Sequence, residues 1–178
     1  MGERDDVIVT AGDGVFPLVA MAEGKNALAR ALLTTGAGSP PDPGFQPAEL
    51  TKRMGTVAMF TATAAVTLGS AQPDVNLSAV LAGGMMQYNW TINGRPFDHT
   101  RPLQITQGQR AVLTFTNTTT MWHPMHLHGH TFQIINRDGS LGARKDTTIV
   151  LPKQQVSVVL IADNPGIWML HCHNTYHQ

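Results

Sequence analysis

Seven of the eight histidines fall in two short windows, HPMHLHGH at 123–130 and HCHNTYH at 171–177, and the second window also holds the only cysteine, Cys172. One cysteine forbids an internal disulfide, so the thiol is a buried group, a nucleophile or a metal ligand. Imidazole and thiolate together select copper, zinc or iron over magnesium or calcium. Isolated histidines are usually satisfied structural residues, and a zinc site would use the same ligand types. The clustering of seven favours a redox metal centre.

Strand parity sorts these residues into two groups. If 171–173 lie on one strand, His171 and His173 point to one face and Cys172 to the other. The same period of two puts His126 and His128 on a shared face and lets His123 take the opposite one, although Pro124 makes that path less regular. His177, four residues after His173, fits a turn of helix curling back towards Cys172. The expected partition is His123, Cys172 and His177 at one metal, and His126, His128, His171 and His173 at another cluster. Two imidazoles and a thiolate are the ligand set of a blue-copper electron-transfer centre. Four imidazoles suit copper ions that bind and reduce a small molecule such as dioxygen.

The elements that must position these side chains read as β structure. From Val75 onward, segments rich in Val, Ile, Thr and Phe alternate with the turn signals Asn93-Gly94, Gln107-Gly108 and Asp138-Gly139. Strands are expected at 87–92, 103–106, 111–117, 131–136, 147–151, 156–161 and 167–170, an antiparallel sandwich or barrel of about a hundred residues. Residues 6–33 read as about three further strands, and TTGAGSPPDPGFQP at 34–47 as a connection, because its prolines forbid helix and ladder pairing alike. Residues 48–70 read as a short helix followed by a strand or crossing connection.

Composition narrows the function further. Of 178 residues, 42% are hydrophobic, enough for a packed core, while twelve basic residues balance twelve acidic ones. No basic field exists to hold nucleic acid or an anionic membrane. No apolar run reaches the length of a membrane span, and the start of the chain lacks the basic and apolar stretches of a secretory signal.

The two windows resemble the H-x-x-H-x-H and H-C-H-x-x-x-H signatures of the last cupredoxin domain of multicopper oxidases, the family of laccases, ferroxidases and bacterial cuprous oxidases. YNWTINGRPF at 88–97 and ARKDTTIVLPKQ at 143–154 are similar to the same domain of bacterial three-domain members. The resemblance implies an all-β, cupredoxin-like Greek-key sandwich, incomplete at both ends. Residues 1–37 would close a middle cupredoxin domain, 38–71 would connect, and 72–178 would form the C-terminal copper-binding domain without its last strand.

Residue by residue, the resemblance implies type 1 copper at His123, Cys172 and His177, type 2 copper at His126, and a type 3 pair at His128, His171 and His173. Copper is the only cofactor implied. The partners would be dioxygen, a small reducing substrate such as Cu(I), Fe(II) or a phenol, and a missing N-terminal cupredoxin domain carrying the other four histidines. Cys172, His171 and His173 would carry electrons between the sites, in a protein working in the periplasm or outside the cell. The alternative is a blue-copper module that shuttles electrons or binds copper without catalysis. His130 is expected beside the ligands rather than among them, His99 in a surface loop, Met85 and Met86 in the core, and Trp122 and Trp168 around the copper sites. Asp146 is expected to make structural hydrogen bonds, and the neutral Gln178 puts a proton relay at that position in doubt.

Overall fold

The structure is a computed structural model that describes residues 7–22, 25, 27–53 and 55–177. Met1 to Asp6 and Gln178 lie outside it, and with them the expectations made there. The described residues fall into two compact units, one within Asp5–Gly55 and the other within Thr56–Gln178.

In the first unit, β1 (Val15–Ala22) and β2 (Ala27–Thr34) form an antiparallel hairpin in unbroken register, from Val15 opposite Thr34 to Ala22 opposite Ala27. These are the two strands found where about three were expected. The proline-rich segment folds back on the hairpin, because the Arg30 guanidinium donates to the carbonyls of Pro41 and Asp42. The helix expected near residue 48 is a single 3-10 turn, Ala48–Thr51.

The second unit is a cupredoxin-like Greek-key sandwich. Its larger sheet runs in the order β4 (Thr91–Ile92), β3 (Val75–Ala82), β5 (Arg110–Asn117), β10 (Gln155–Ile161), β7 (Phe132–Ile135) and β8 (Leu141–Lys145). The smaller sheet runs β11 (Leu170–Cys172), β6 (His123–Leu127) and β9 (Thr147–Val150). β3 and β5 pair in parallel, and the other described pairs are antiparallel. Alternation along the strands sends Ala111, Leu113 and Phe115 of β5, Phe132 and Ile134 of β7, and Val158 and Leu160 of β10 into one core. Met125, Val150 and Cys172 meet them from the smaller sheet, so the cysteine sits on the core-facing side.

Residues 56–70, expected within the connection, pack on the sandwich. Gln133, 1% exposed, accepts from the Leu68 N–H at 2.8 Å and donates to the Gly142 carbonyl at 2.8 Å. Arg110 donates to the carbonyls of Leu68 and Gly69. No strand forms at 103–106, where Leu103 and Ile105 pack against the core without a ladder partner. Asn93 and Gly94 both have positive φ, 54° and 71°, which is the primed two-residue turn that Asn-Gly favours. No helix among the described residues is long and apolar enough to cross a membrane.

Candidate metal centre

Strand register builds the centre. β6 and β11 pair so that His126 faces His171 and Met125 faces Cys172. His123 and Met125 are buried on the core side, whereas His126 and His171 share the opposite side of the sheet. The ladder extends past β11 where the His173 N–H donates to the Pro124 carbonyl at 2.7 Å, and the His128 N–H donates to Met169 at 2.9 Å. A 3-10 turn at Thr175–His177, closed by the His177 N–H on the Asn174 carbonyl, swings the His177 ring back to the cysteine.

On the core side, His123, Cys172 and His177 are all buried, and their ligand atoms lie within 4.8 Å of one another. The His177 Nδ1 is 3.1 Å from the His123 Nδ1 and 3.6 Å from the Cys172 Sγ. Hydrogen bonding sets the His123 tautomer. The Thr119 hydroxyl donates to Asn117 Oδ1 at 2.8 Å, so toward His123 Nε2, 2.9 Å away, it accepts. Nε2 therefore carries the hydrogen, and Nδ1 offers its lone pair toward His177 Nδ1, 3.1 Å away, inside the group formed with Cys172. Burial, with a smaller contribution from the His177 charge, pushes the His123 pKa down to about 4. Burial lowers His177 as well and pushes the Cys172 thiol up to about 11. The Trp90 indole covers the site, tilted over His177 at 4.1 Å between ring centres and edge-on to His123 at 5.4 Å.

On the other side, His126, His128 and His171 form a second group whose ligand atoms lie within 4.8 Å of one another. The Nε2 atoms of His128 and His171 are 3.0 Å apart. A carbonyl can only accept, so His171 Nδ1 carries hydrogen toward the Cys172 carbonyl at 2.9 Å, and His126 Nδ1 toward the Asp146 carbonyl at 2.8 Å. Both Nε2 atoms are left as lone pairs. The His173 ring stands 5.4 Å from His171 and 5.6 Å from His126 between centres, beside the group but outside its tightest set.

Comparison with known proteins decides the family. The multicopper oxidase family model matches residues 71–178. The chain belongs to the multicopper oxidase family. It is 65% identical over all 178 residues to the multicopper oxidase MmcO of Mycobacterium tuberculosis, covering 35% of that protein. It is 35% identical over 107 residues to copper resistance protein A of Escherichia coli, covering 60% of this chain and 18% of that one. The chain thus spans about a third or less of these relatives. The McoA multicopper oxidase of Aquifex aeolicus shares the fold, with a TM-score of 0.58 at 24% identity, covering 92% of this chain and 38% of that one.

Multicopper oxidases bind copper, and the donor sets fit it. On the core side, two imidazole nitrogens and a thiol sulfur converge in a buried space. On the other side, the hydrogen-bonded Nδ1 atoms leave Nε2 lone pairs facing inward. Three residues of the core-side site, Trp90, Thr119 and Asn117, were not singled out by sequence reasoning. Trp90 is brought to the site from a distant segment, whereas Thr119 and Asn117 lie four and six residues before His123 and nothing in their residue types marks them.

The remaining expectations divide. His130 contacts the His128 carbonyl and Trp168 rather than the convergent nitrogens. His99 is exposed beside Asp98. Met85 and Met86 are not core residues: Met86 is 99% exposed, and both line an open cleft with Trp90, Thr119 and Met121. Trp122 is half exposed, and it is Trp90 that stacks on the core-side histidines. Asp146 accepts from Thr147 and places its backbone carbonyl on His126.

Proposed function

We propose that this chain supplies the type 1 copper site and half of the trinuclear site of an oxidase that takes single electrons from Cu(I), Fe(II) or a phenolic donor and passes them to dioxygen. Residues 72–178 are its C-terminal copper-binding domain, 1–37 the end of a middle cupredoxin domain, and 38–71 the connection. His123, Cys172 and His177 hold the type 1 copper, His126 the type 2 copper, and His128, His171 and His173 the type 3 pair. Copper supplies the one-electron redox chemistry and the site at which dioxygen is reduced to water.

The observation that carries this reading is the pairing of β6 with β11, which places a thiol-containing set on one face and a histidine set on the other. The tripeptide His171-Cys172-His173 belongs to both, so the chain itself is a short covalent path between them. The protein's own groups do the rest. Thr119 and the Asp146 and Cys172 carbonyls hold the imidazoles in the tautomers that bind metal. Trp90 and the surrounding core exclude water from the thiol. With its pKa near 11, Cys172 keeps its proton at neutral pH until a metal displaces it.

The test is Cys172→Ser in the complete copper-loaded protein. The intense blue charge-transfer band and donor-driven oxygen uptake should both vanish while copper remains on the histidine set. Oxygen uptake at the unmutated rate would overturn the reading. A blue wild-type protein that consumes no oxygen would point instead to the electron-shuttling module.

A further inference from the structure

Trp168 lies in the loop between β10 and β11 and reaches back over the turn after His128. Gly129 in that turn has φ +68°, and a Cβ built on it would lie 2.2 Å from the indole Cδ2 and 2.4 Å from Cε2. Only glycine both adopts this backbone and lets the ring lie against it. The indole N–H donates to the Asn164 carbonyl at 2.8 Å, and the Asn164 side-chain amide donates to the Gly129 carbonyl at 3.0 Å. His130, with its side chain 8% exposed, packs edge-on to Trp168 at 6.2 Å and turns Nδ1 to the His128 carbonyl at 3.4 Å. The residue after the tryptophan, Met169, accepts the His128 N–H at 2.9 Å, and the next, Leu170, begins the strand that carries His171.

We propose that Trp168 is a positioning residue that clamps the His128-Gly129-His130 turn onto the entry to β11 and so sets the spacing of the His128 and His171 imidazoles. The ring closes a loop of contacts from residue 164 through 168 to 129, and no member of that loop has its own side chain on the metal-facing nitrogens. Removing the ring frees the Gly129 turn to move while leaving the strand ladder at His126 and His171 intact. The 3.0 Å approach of the two Nε2 atoms then loses the contact that fixes it. This inference rests on the reading of His128 and His171 as copper ligands, and its test separates the two.

Trp168→Ala, Trp168→Phe and Gly129→Ala are compared with wild type in two measurements. In the metal-free chain, nitrogen-15 NMR of the imidazoles reports the hydrogen bond between His128 and His171. It should be lost in Trp168→Ala and Gly129→Ala and kept in Trp168→Phe, whose ring still covers Gly129. In copper titrations of the complete protein, with total copper counted beside the electron paramagnetic resonance spectrum, Trp168→Ala should weaken the histidine-only set about ten- to a hundredfold, the usual effect of removing a partner that orients a ligand. The blue centre should keep its affinity and spectrum, because it lies on the other face of the sheet. A Trp168→Ala protein with an unchanged imidazole signal would overturn the clamp, as would equal weakening of both sites alongside a lower melting temperature. A complete wild-type protein that shows the Trp168-dependent imidazole contact yet takes no copper on the histidine set would uphold the clamp and overturn the ligand assignment.

Discussion

His123 shows how a buried ligand is kept ready for metal and what that does to the metal-free protein. Its pKa falls from the ordinary 6.5 to about 4 because burial disfavours the charged ring and the His177 ring adds to the effect. The unfolded chain takes up a proton near pH 6.5 and the folded chain does not until about pH 4. Above 6.5 both forms are neutral and stability is unaffected; between 6.5 and 4 the unfolded state gains protons and stability falls. The metal-free protein should lose roughly 3 kcal/mol over that window from this residue, at about 1.4 kcal/mol per pKa unit. Urea unfolding at pH 7.5, 6, 5 and 4.5 checks it, with His123→Asn as the control that should flatten the decline. Some of this residue-scale chemistry was legible in the sequence: the ligand types and their opposite strand parities follow from spacing in HPMHLHGH and HCHNTYH. The tautomers were not, because they depend on the Thr119 hydroxyl, itself bonded to Asn117, and on the Asp146 carbonyl, whose contacts with the rings exist only in the fold.

At the scale of elements, strands with strong alternation were readable and irregular ones were not. β5 and β10 follow their Val-, Leu- and Phe-rich segments closely, and the Asn93-Gly94 turn adopts the backbone its residues prefer. Leu103 and Ile105 look like a strand and bury like one, but a ladder needs a neighbour, and none of the described strands pairs there. The 56–70 segment was unreadable for a related reason. Its order comes from side chains distant in sequence, chiefly Gln133 and Arg110, which supply partners to its backbone. Gln133→Ala should therefore cost about 1–3 kcal/mol, since it leaves the Leu68 N–H without its acceptor, while the Gly142 carbonyl keeps the Ala62 N–H. Chemical denaturation measures that loss, and hydrogen exchange should show Leu68 among the amides that lose protection.

Across the whole molecule, metal binding and folding are linked. The ligands must be deprotonated to bind copper, and the Cys172 thiol starts with a pKa of about 11. Copper should raise the melting temperature in proportion to its binding, contributing about 2.7 kcal/mol at a hundred times the dissociation constant. Because binding releases the thiol proton, the stabilisation should be larger at pH 7.5 than at pH 5. Scanning calorimetry with and without copper tests this, and Cys172→Ser should lose the part of the shift that belongs to the thiol site.

The all-β class and the partition of histidines between two faces were legible in the residues, because ligand chemistry and the two-residue period of a strand act locally, and the family was legible in the resemblance of the two histidine windows. Which side chains surround those ligands follows from the packing of the folded chain. Trp90 over His177, Trp168 against Gly129 and the order of residues 56–70 arise where segments far apart in the chain meet, and Thr119, four residues before His123, reaches that ring through the loop between β5 and β6. The physical reason is common to them: a hydrogen bond or ring contact needs a partner at a distance of a few ångströms, and that distance is set by packing rather than by position along the chain.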